Sequence, residues 1–159
     1  MLKSKNILLL IPFLWIIGCA APQPTPAKRN LAIGSTAKIK TTAYTHTEAG
    51  GRKNALGSRL AAGTVKSASA DWSRYPVGTK FQIVTTGEVY QVDDYGSALI
   101  GTATIDLYKP SQLTMSRWGV RTVDIKILAW GSPEKSLALL QPRSKNHYVQ
   151  EMISNLQKL

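Results

Sequence analysis

At 159 residues, 43% of them hydrophobic and 18% charged, the chain has room for one folded domain and is too apolar to be a disordered protein. Its 20 Lys and Arg against 9 Asp and Glu give a formal charge of +11, spread thinly along the sequence. A single cysteine excludes an internal disulfide framework, and two histidines with no Cys/His cluster argue against a structural zinc site. No metal, cofactor or nucleic-acid partner is expected, because no motif for any of them is present.

Lys3 and Lys5 precede the apolar run Ile7–Ile17, which is shorter than the roughly 20 residues that a membrane-spanning helix needs. A basic start, a short greasy stretch and then small residues is the pattern of a secretory signal peptide. Its end, Ile16-Ile17-Gly18-Cys19, resembles the bacterial lipobox, which is cut just before the cysteine that then carries lipid. Residues 1–18 are therefore expected to be a lipoprotein signal peptide and Cys19 the lipidation site. Without Lys3 and Lys5 the formal charge falls to +9. The resemblance implies a membrane partner through the N-terminal lipid, and Ala20, in place of a retention aspartate, points to the outer membrane. Residues 19–36, with Pro22, Pro24 and Pro26, read as an extended tether.

From residue 37 onward the pattern is that of a β domain. Lys38–Tyr44 is rich in β-branched residues. Gly50-Gly51 through Gly63 is loop-like. Lys80–Asp93 reads as a hairpin turning at Thr86-Gly87, Thr104–Leu107 as a short strand, and Val123–Leu128 as a strand of strict alternation. Between the last two, Ser111–Trp118 reads as a helix capped by Ser111 and stopped by Gly119. Residues 37–131 form the expected barrel domain and 132–159 a helical tail, in which Tyr148, Val149, Met152, Ile153 and Leu156 recur at helical spacing. That tail either docks on the barrel or meets a partner or a membrane surface.

Three aspartates stand in linked motifs: Ala68-Ser69-Ala70-Asp71, leading into Tyr75-Pro76-Val77-Gly78-Thr79; Asp93-Asp94-Tyr95-Gly96-Ser97-Ala98-Leu99-Ile100-Gly101; and Thr104-Ile105-Asp106-Leu107-Tyr108. In order and content they resemble the 3D domain, named for its three aspartates and shared with the catalytic barrel of the membrane-bound lytic transglycosylase A group. The resemblance implies a mainly β fold, a six-stranded double-psi β-barrel with one or two short helices. It also implies lytic cleavage of the β-1,4 bond between N-acetylmuramic acid and N-acetylglucosamine, leaving a 1,6-anhydro end, with peptidoglycan glycan strands as the partner. Asp106 matches the family's acid-base residue, Asp94 the carboxylate beside it and Asp71 the first of the three.

The chemistry gives such a pattern its reason. Glycosidic cleavage passes through an oxocarbenium-like state and requires a proton on the leaving oxygen, so a carboxyl group must stay protonated near neutral pH. Tyr44, Tyr75 and Tyr95 are candidates to stack on sugar faces, with Gly96 beside them, and Trp72 has the same capacity. Trp118 and Trp130 are expected in the core. Asp93, next to Asp94 on a strand, is expected to point away toward solvent or an ion pair, and Asp124 to lie on the surface. His46, Arg52 and Lys53 are loop residues with the option of substrate contact. The chain departs from the family at Ser97, at Ile100 where the family has lysine, and in an Asp94–Asp106 interval one residue longer; Gly101-Thr102-Ala103 is the expected place to absorb it. Two other readings remain open: a non-catalytic peptidoglycan-binding barrel, and a hydrolase on the same scaffold.

Overall fold

A computed structural model of the protein describes residues 31–48 and 50–158. The signal peptide, Cys19 and most of the tether lie outside the described residues. Six strands close into a mixed barrel: β1 (Thr36–Tyr44), β2 (Val65–Ser69), β3 (Lys80–Ile83), β4 (Val89–Asp94), β5 (Ile105–Tyr108) and β6 (Arg121–Ala129), in the order β1-β5-β2-β4-β3-β6. β1 runs parallel to β5 and β2 parallel to β4, while the remaining neighbours are antiparallel. Closure leaves no free sheet edge.

Alternation works as expected on β6, where Ile125 and Ile127 are fully buried and Asp124 pairs with Lys38 on the surface. The hairpin turns at Gly87, whose amide bonds back to the Ile83 carbonyl. β2 has no comparable signature. Its Ser67, Ala68 and Ser69 are small residues of low β-propensity, and all three are buried because the strand lies between β5 and β4. Phe81 and Tyr90 stack at 5.7 Å in the middle of the core, with Ile83, Val92, Ile105 and Leu107 around them.

Three helices complete the fold: α1 (Gln112–Trp118), α2 (Pro133–Leu140) and α3 (His147–Leu156). Ser111 caps α1 by accepting from the Thr114 amide, and Gly119, at φ 60°, ends it. Pro133 opens α2 at a position where its missing N–H costs nothing. The tail docks on the barrel: Leu140, Val149, Met152 and Leu156 are buried in the same cluster as the barrel residues.

The junction between β6 and α2 tolerates no side chain. A Cβ on Gly131 would lie 2.2 Å from the Val77 carbonyl oxygen and 2.3 Å from that of Pro76. The Gly131 amide donates to Thr79 Oγ1, whose hydroxyl in turn donates to the Pro76 carbonyl. Gly131→Ala is expected to destabilise the fold by about 3 kcal/mol, the scale of overpacking in a rigid interior. Gly63→Ala, with open space around its Cβ, is the matched control and should leave the thermal midpoint almost unchanged.

Candidate active site

The barrel's strands bring four side chains into one row. Thr42 on β1 is the ladder partner of Asp106 on β5. Asp106 is the partner of Ser69 on β2, and Ser69 that of Asp94 on β4. Directly opposed residues on neighbouring strands share a face, and all four line one open groove of about 620 Å³. That volume lies within the usual range of ligand clefts, about 300–1,000 Å³.

A β-bulge decides which aspartate enters the groove. Ala68 pairs with Val92, but the next residue, Ser69, pairs with Asp94, so Asp93 is the extra residue on β4. The expectation that Asp93 turns to solvent or an ion pair is corrected: it is buried, and its Oδ2 accepts from Asn54 Nδ2 at 2.8 Å and Ser67 Oγ at 2.6 Å. Burial raises its pKa against those hydrogen bonds. Through Asn54 it anchors the long β1–β2 loop. Asn54 Oδ1 also accepts from the Leu56 and Ser58 amides, which folds the loop tip over Asp94.

Asp94 Oδ1 accepts from the amides of Ala55, at 3.0 Å, and Tyr95, at 2.9 Å. Burial nevertheless pushes its carboxyl up to about 6, and the Asp93 charge adds to the rise. Asp106 Oδ1 accepts from Thr42 Oγ1 at 2.6 Å. Its carboxyl is also pushed up to about 6, first by burial and then by the charge of Glu48, with the Thr42 bond opposing. The two carboxyls do not act on each other strongly, since the width of β2 separates them, about 10 Å between Cα atoms at the usual strand spacing. Each is raised by its own surroundings.

The chain between Asp94 and Asp106 turns before β5 begins. A short 3-10 turn, Ser97–Leu99, and Gly101, at φ 75°, take up the chain. Asp71 holds this loop rather than entering the groove: it is fully buried, its Oδ2 accepts from the Gly101 amide at 2.9 Å, and its Oδ1 accepts from the Ser73 amide and hydroxyl. Asp71 is thus placed as a brace for the loop that leads to Asp106, outside the groove.

Of the aromatic candidates, Tyr44, Tyr95 and the neighbouring Gly96 line the groove. The Tyr44 hydroxyl is buried near Asp94 without a well-aligned hydrogen bond, and burial followed by the Asp94, Asp93 and Asp106 charges raises its pKa. Tyr95 packs edge-on against Trp72 at 5.0 Å, and its hydroxyl accepts from Arg143 at 3.3 Å. Tyr75 lies elsewhere: it is buried, stacks on Trp130 at 6.3 Å and has its phenol pushed up to about 12, mainly by that burial. Trp72 is fully buried and donates to the Asp94 carbonyl. His46 is tied to the Tyr108 hydroxyl, at 3.0 Å. Trp118 is buried, with its indole N–H on Thr41 Oγ1.

Lys40, Thr42 and Glu48 are among the groove residues that escaped the sequence reading. Lys40, Thr42 and Tyr44 are two apart on β1, so alternation from Tyr44 already implies the other two. Glu48 sits in a loop where no period applies. Lys53 also lines the groove, and Ile100 packs on the edge of the core. Among the described residues no group of three or more His, Cys, Asp or Glu could hold a metal ion.

No protein-family model matches the chain, and no curated protein is similar to it.

Carboxyls with raised pKa values favour the folded state at acid pH, because the folded protein binds their protons more tightly than the unfolded chain. That advantage is fully present below the ordinary aspartate range and is lost as pH rises from about 4 to about 6. Asp94→Asn and Asp106→Asn should therefore raise the thermal midpoint at pH 7.5 and match the wild type near pH 3.5. The check is a calorimetric pH series on the single variants.

Proposed function

We propose that this protein is a lipid-anchored peptidoglycan lytic transglycosylase whose barrel is a double-psi 3D domain. The observation that carries the reading is the row Thr42–Asp106–Ser69–Asp94, with a carboxyl at about pKa 6 in an open groove. The lipobox ending at Cys19 and the proline-rich tether support an outer-membrane location facing the wall. No helix of the described residues is long and apolar enough to cross a membrane.

In this reading Asp106, protonated in part of the molecules at neutral pH, gives its proton to the glycosidic oxygen as the bond to muramic acid C1 breaks. The N-acetylglucosamine end leaves with a new hydroxyl. The Asp106 carboxylate then takes the proton of the muramic acid 6-hydroxyl as that oxygen closes on C1, which forms the anhydro ring and restores the acid. Thr42 orients the Asp106 carboxyl. Asp94, when ionised, adds negative charge opposite the oxocarbenium-like centre. Tyr44 and Tyr95 supply apolar faces for the sugar rings.

One observation favours a second reading. Inverting glycoside hydrolases hold their two carboxyls about 6.5–9.5 Å apart to admit a water. Asp94 and Asp106 stand on strands separated by β2 and line the same open groove, an arrangement with room for a second carboxylate to act on a water. Incubating purified wall with the protein separates the readings: anhydro ends support the transglycosylase and reducing ends the hydrolase. Binding without release would overturn both in favour of a glycan-binding module.

Asp106→Asn is expected to lower release by about 10²–10⁴-fold, the usual worth of a positioned acid. Activity within severalfold of wild type would remove Asp106 from the role. Glu48→Gln should move the basic limb of the pH-rate profile downward, because the Glu48 charge is a cause of the raised Asp106 pKa. Asp94→Asn should leave that limb in place.

A further inference from the structure

A second cavity, of about 350 Å³, opens at the other end of β2 and β4 and shares no residue with the groove. Its floor is Lys109, which is only 8% exposed. The Lys109 ammonium donates to Glu88 Oε2 at 3.1 Å and to the Tyr90 hydroxyl at 2.7 Å, and it lies 4.5 Å from the centre of the Trp118 ring. Lys66 pairs with the other oxygen of Glu88. Glu88 therefore serves two lysines at once, and its pKa falls because the pair outweighs its burial. Burial lowers the Lys109 pKa, and the Lys66 and Arg121 charges push in the same direction against Glu88.

Positive charge is in surplus here. Lys66, Lys109 and Arg117 line the cavity, and Glu88 is its one carboxylate. Arg121 adds a further cation, 4.4 Å from the centre of the same Trp118 ring. Among the described residues the Arg117 guanidinium, on the exposed face of α1, has no partner. Cations drawn this close together around a shared carboxylate are paid for elsewhere in the fold unless a ligand completes the pairing.

We infer that this cavity is a binding site for a free carboxylate of a short peptide, held by Arg117 and the Lys66–Lys109 pair. A planar carboxylate matches the guanidinium fork. Of the remaining walls, Ala62, Pro110 and the Trp118 ring are apolar and suit the methyl and methylene groups that flank a carboxylate in a peptide, while Tyr108 and Thr114 add hydroxyls. A dianionic phosphate fits less well, because it would bring two negative charges against Glu88. The identity of the peptide rests on the proposed function: wall glycan carries short stem peptides built from alanine and acidic residues. The site would hold the stem of one strand while the groove engages glycan.

The test is a titration of the full chain with the tripeptide L-alanyl-γ-D-glutamyl-meso-diaminopimelate, read at the Trp118 indole N–H by NMR. The tripeptide should shift that resonance, and Arg117→Ala should weaken the binding about tenfold, the loss of a charge-assisted pair. The same peptide with its carboxylates amidated should not bind. An unmoved Trp118 resonance, or equal binding by the amidated peptide, would overturn the inference. A stronger response to inorganic phosphate would overturn the carboxylate assignment. In parallel, release is measured from glycan strands stripped of peptide, which Arg117→Ala should cleave as the wild type does. Cleavage without tripeptide binding removes only this site, and tripeptide binding without cleavage removes only the enzymatic reading.

Discussion

One extra residue in β4 organises the groove. If Ser69 continued the register set by Ala68 and Val92, it would face Asp93, and Asp94 would turn to the opposite face. The bulge reverses that assignment and gives adjacent carboxylates different surroundings. Asp93 is enclosed by Asn54 and Ser67, and Asp94 opens onto the groove. The bulge is held by its backbone as well: the Asp94 carbonyl accepts from both the Ala70 amide and the Trp72 indole, at 3.1 and 2.9 Å. Those bonds fix Asp94 from behind, while the loop amide of Ala55 fixes it from above.

Carboxyls kept at a pKa near 6 by burial are a burden on the folded state at neutral pH, and the surrounding structure has to hold them there. Three devices do so. The core is dense and aromatic, with Trp72, Phe81 and Tyr90 fully enclosed. Asp71 ties the turn at Ser73 to the loop at Gly101, so the segment that delivers Asp106 to β5 is fixed to the interior at Gly101. The tail acts on the groove from outside: Arg143 donates to the Ala55 carbonyl at 2.6 Å and to the Tyr95 hydroxyl. One guanidinium thus links the loop above Asp94 to an aromatic wall of the groove, and burial of Val149 and Met152 holds the tail in place.

What the sequence disclosed follows from which rules are local. Strand β6, helix α1 with its Ser111 cap, and the Gly87 turn each rest on residues within a few positions of one another, and each was legible. β2 was not, because Ser67, Ala68 and Ser69 are strand residues by virtue of their neighbours rather than their own propensity. Asp94 and Asp106 both line the groove, while simple alternation failed at Asp93 because a bulge is a property of the pairing and not of one strand. Tyr75 and Trp72 are, by sequence, candidates to stack on sugar faces. Their burial depends on Trp130 and on the Asp94 carbonyl, which are distant in sequence. Glu48 had no periodic neighbour to reveal it.

The short central strand also explains how two chemically different cavities coexist in so small a barrel. Along β2, Lys66 reaches the cationic cavity, Ser67 reaches Asp93, and Ser69 reaches the row of the groove. Lys66 and Ser69 are about 10 Å apart along the backbone at the usual rise per residue. Between the two openings lies packed interior, including the Phe81–Tyr90 stack, so no ligand passes through from one to the other. The separation has an electrostatic use. Lys109 and Lys66 are held at Glu88, and their charge stays at that end of the barrel instead of lowering the pKa of the groove aspartates, for which neither lysine is a cause. A cation brought close to Asp106 would favour its ionised form and remove the proton that the proposed acid must donate. Placing Lys66 and Lys109 at the far end of β2 and β4 keeps that cationic cluster away from the Asp94 and Asp106 carboxyls.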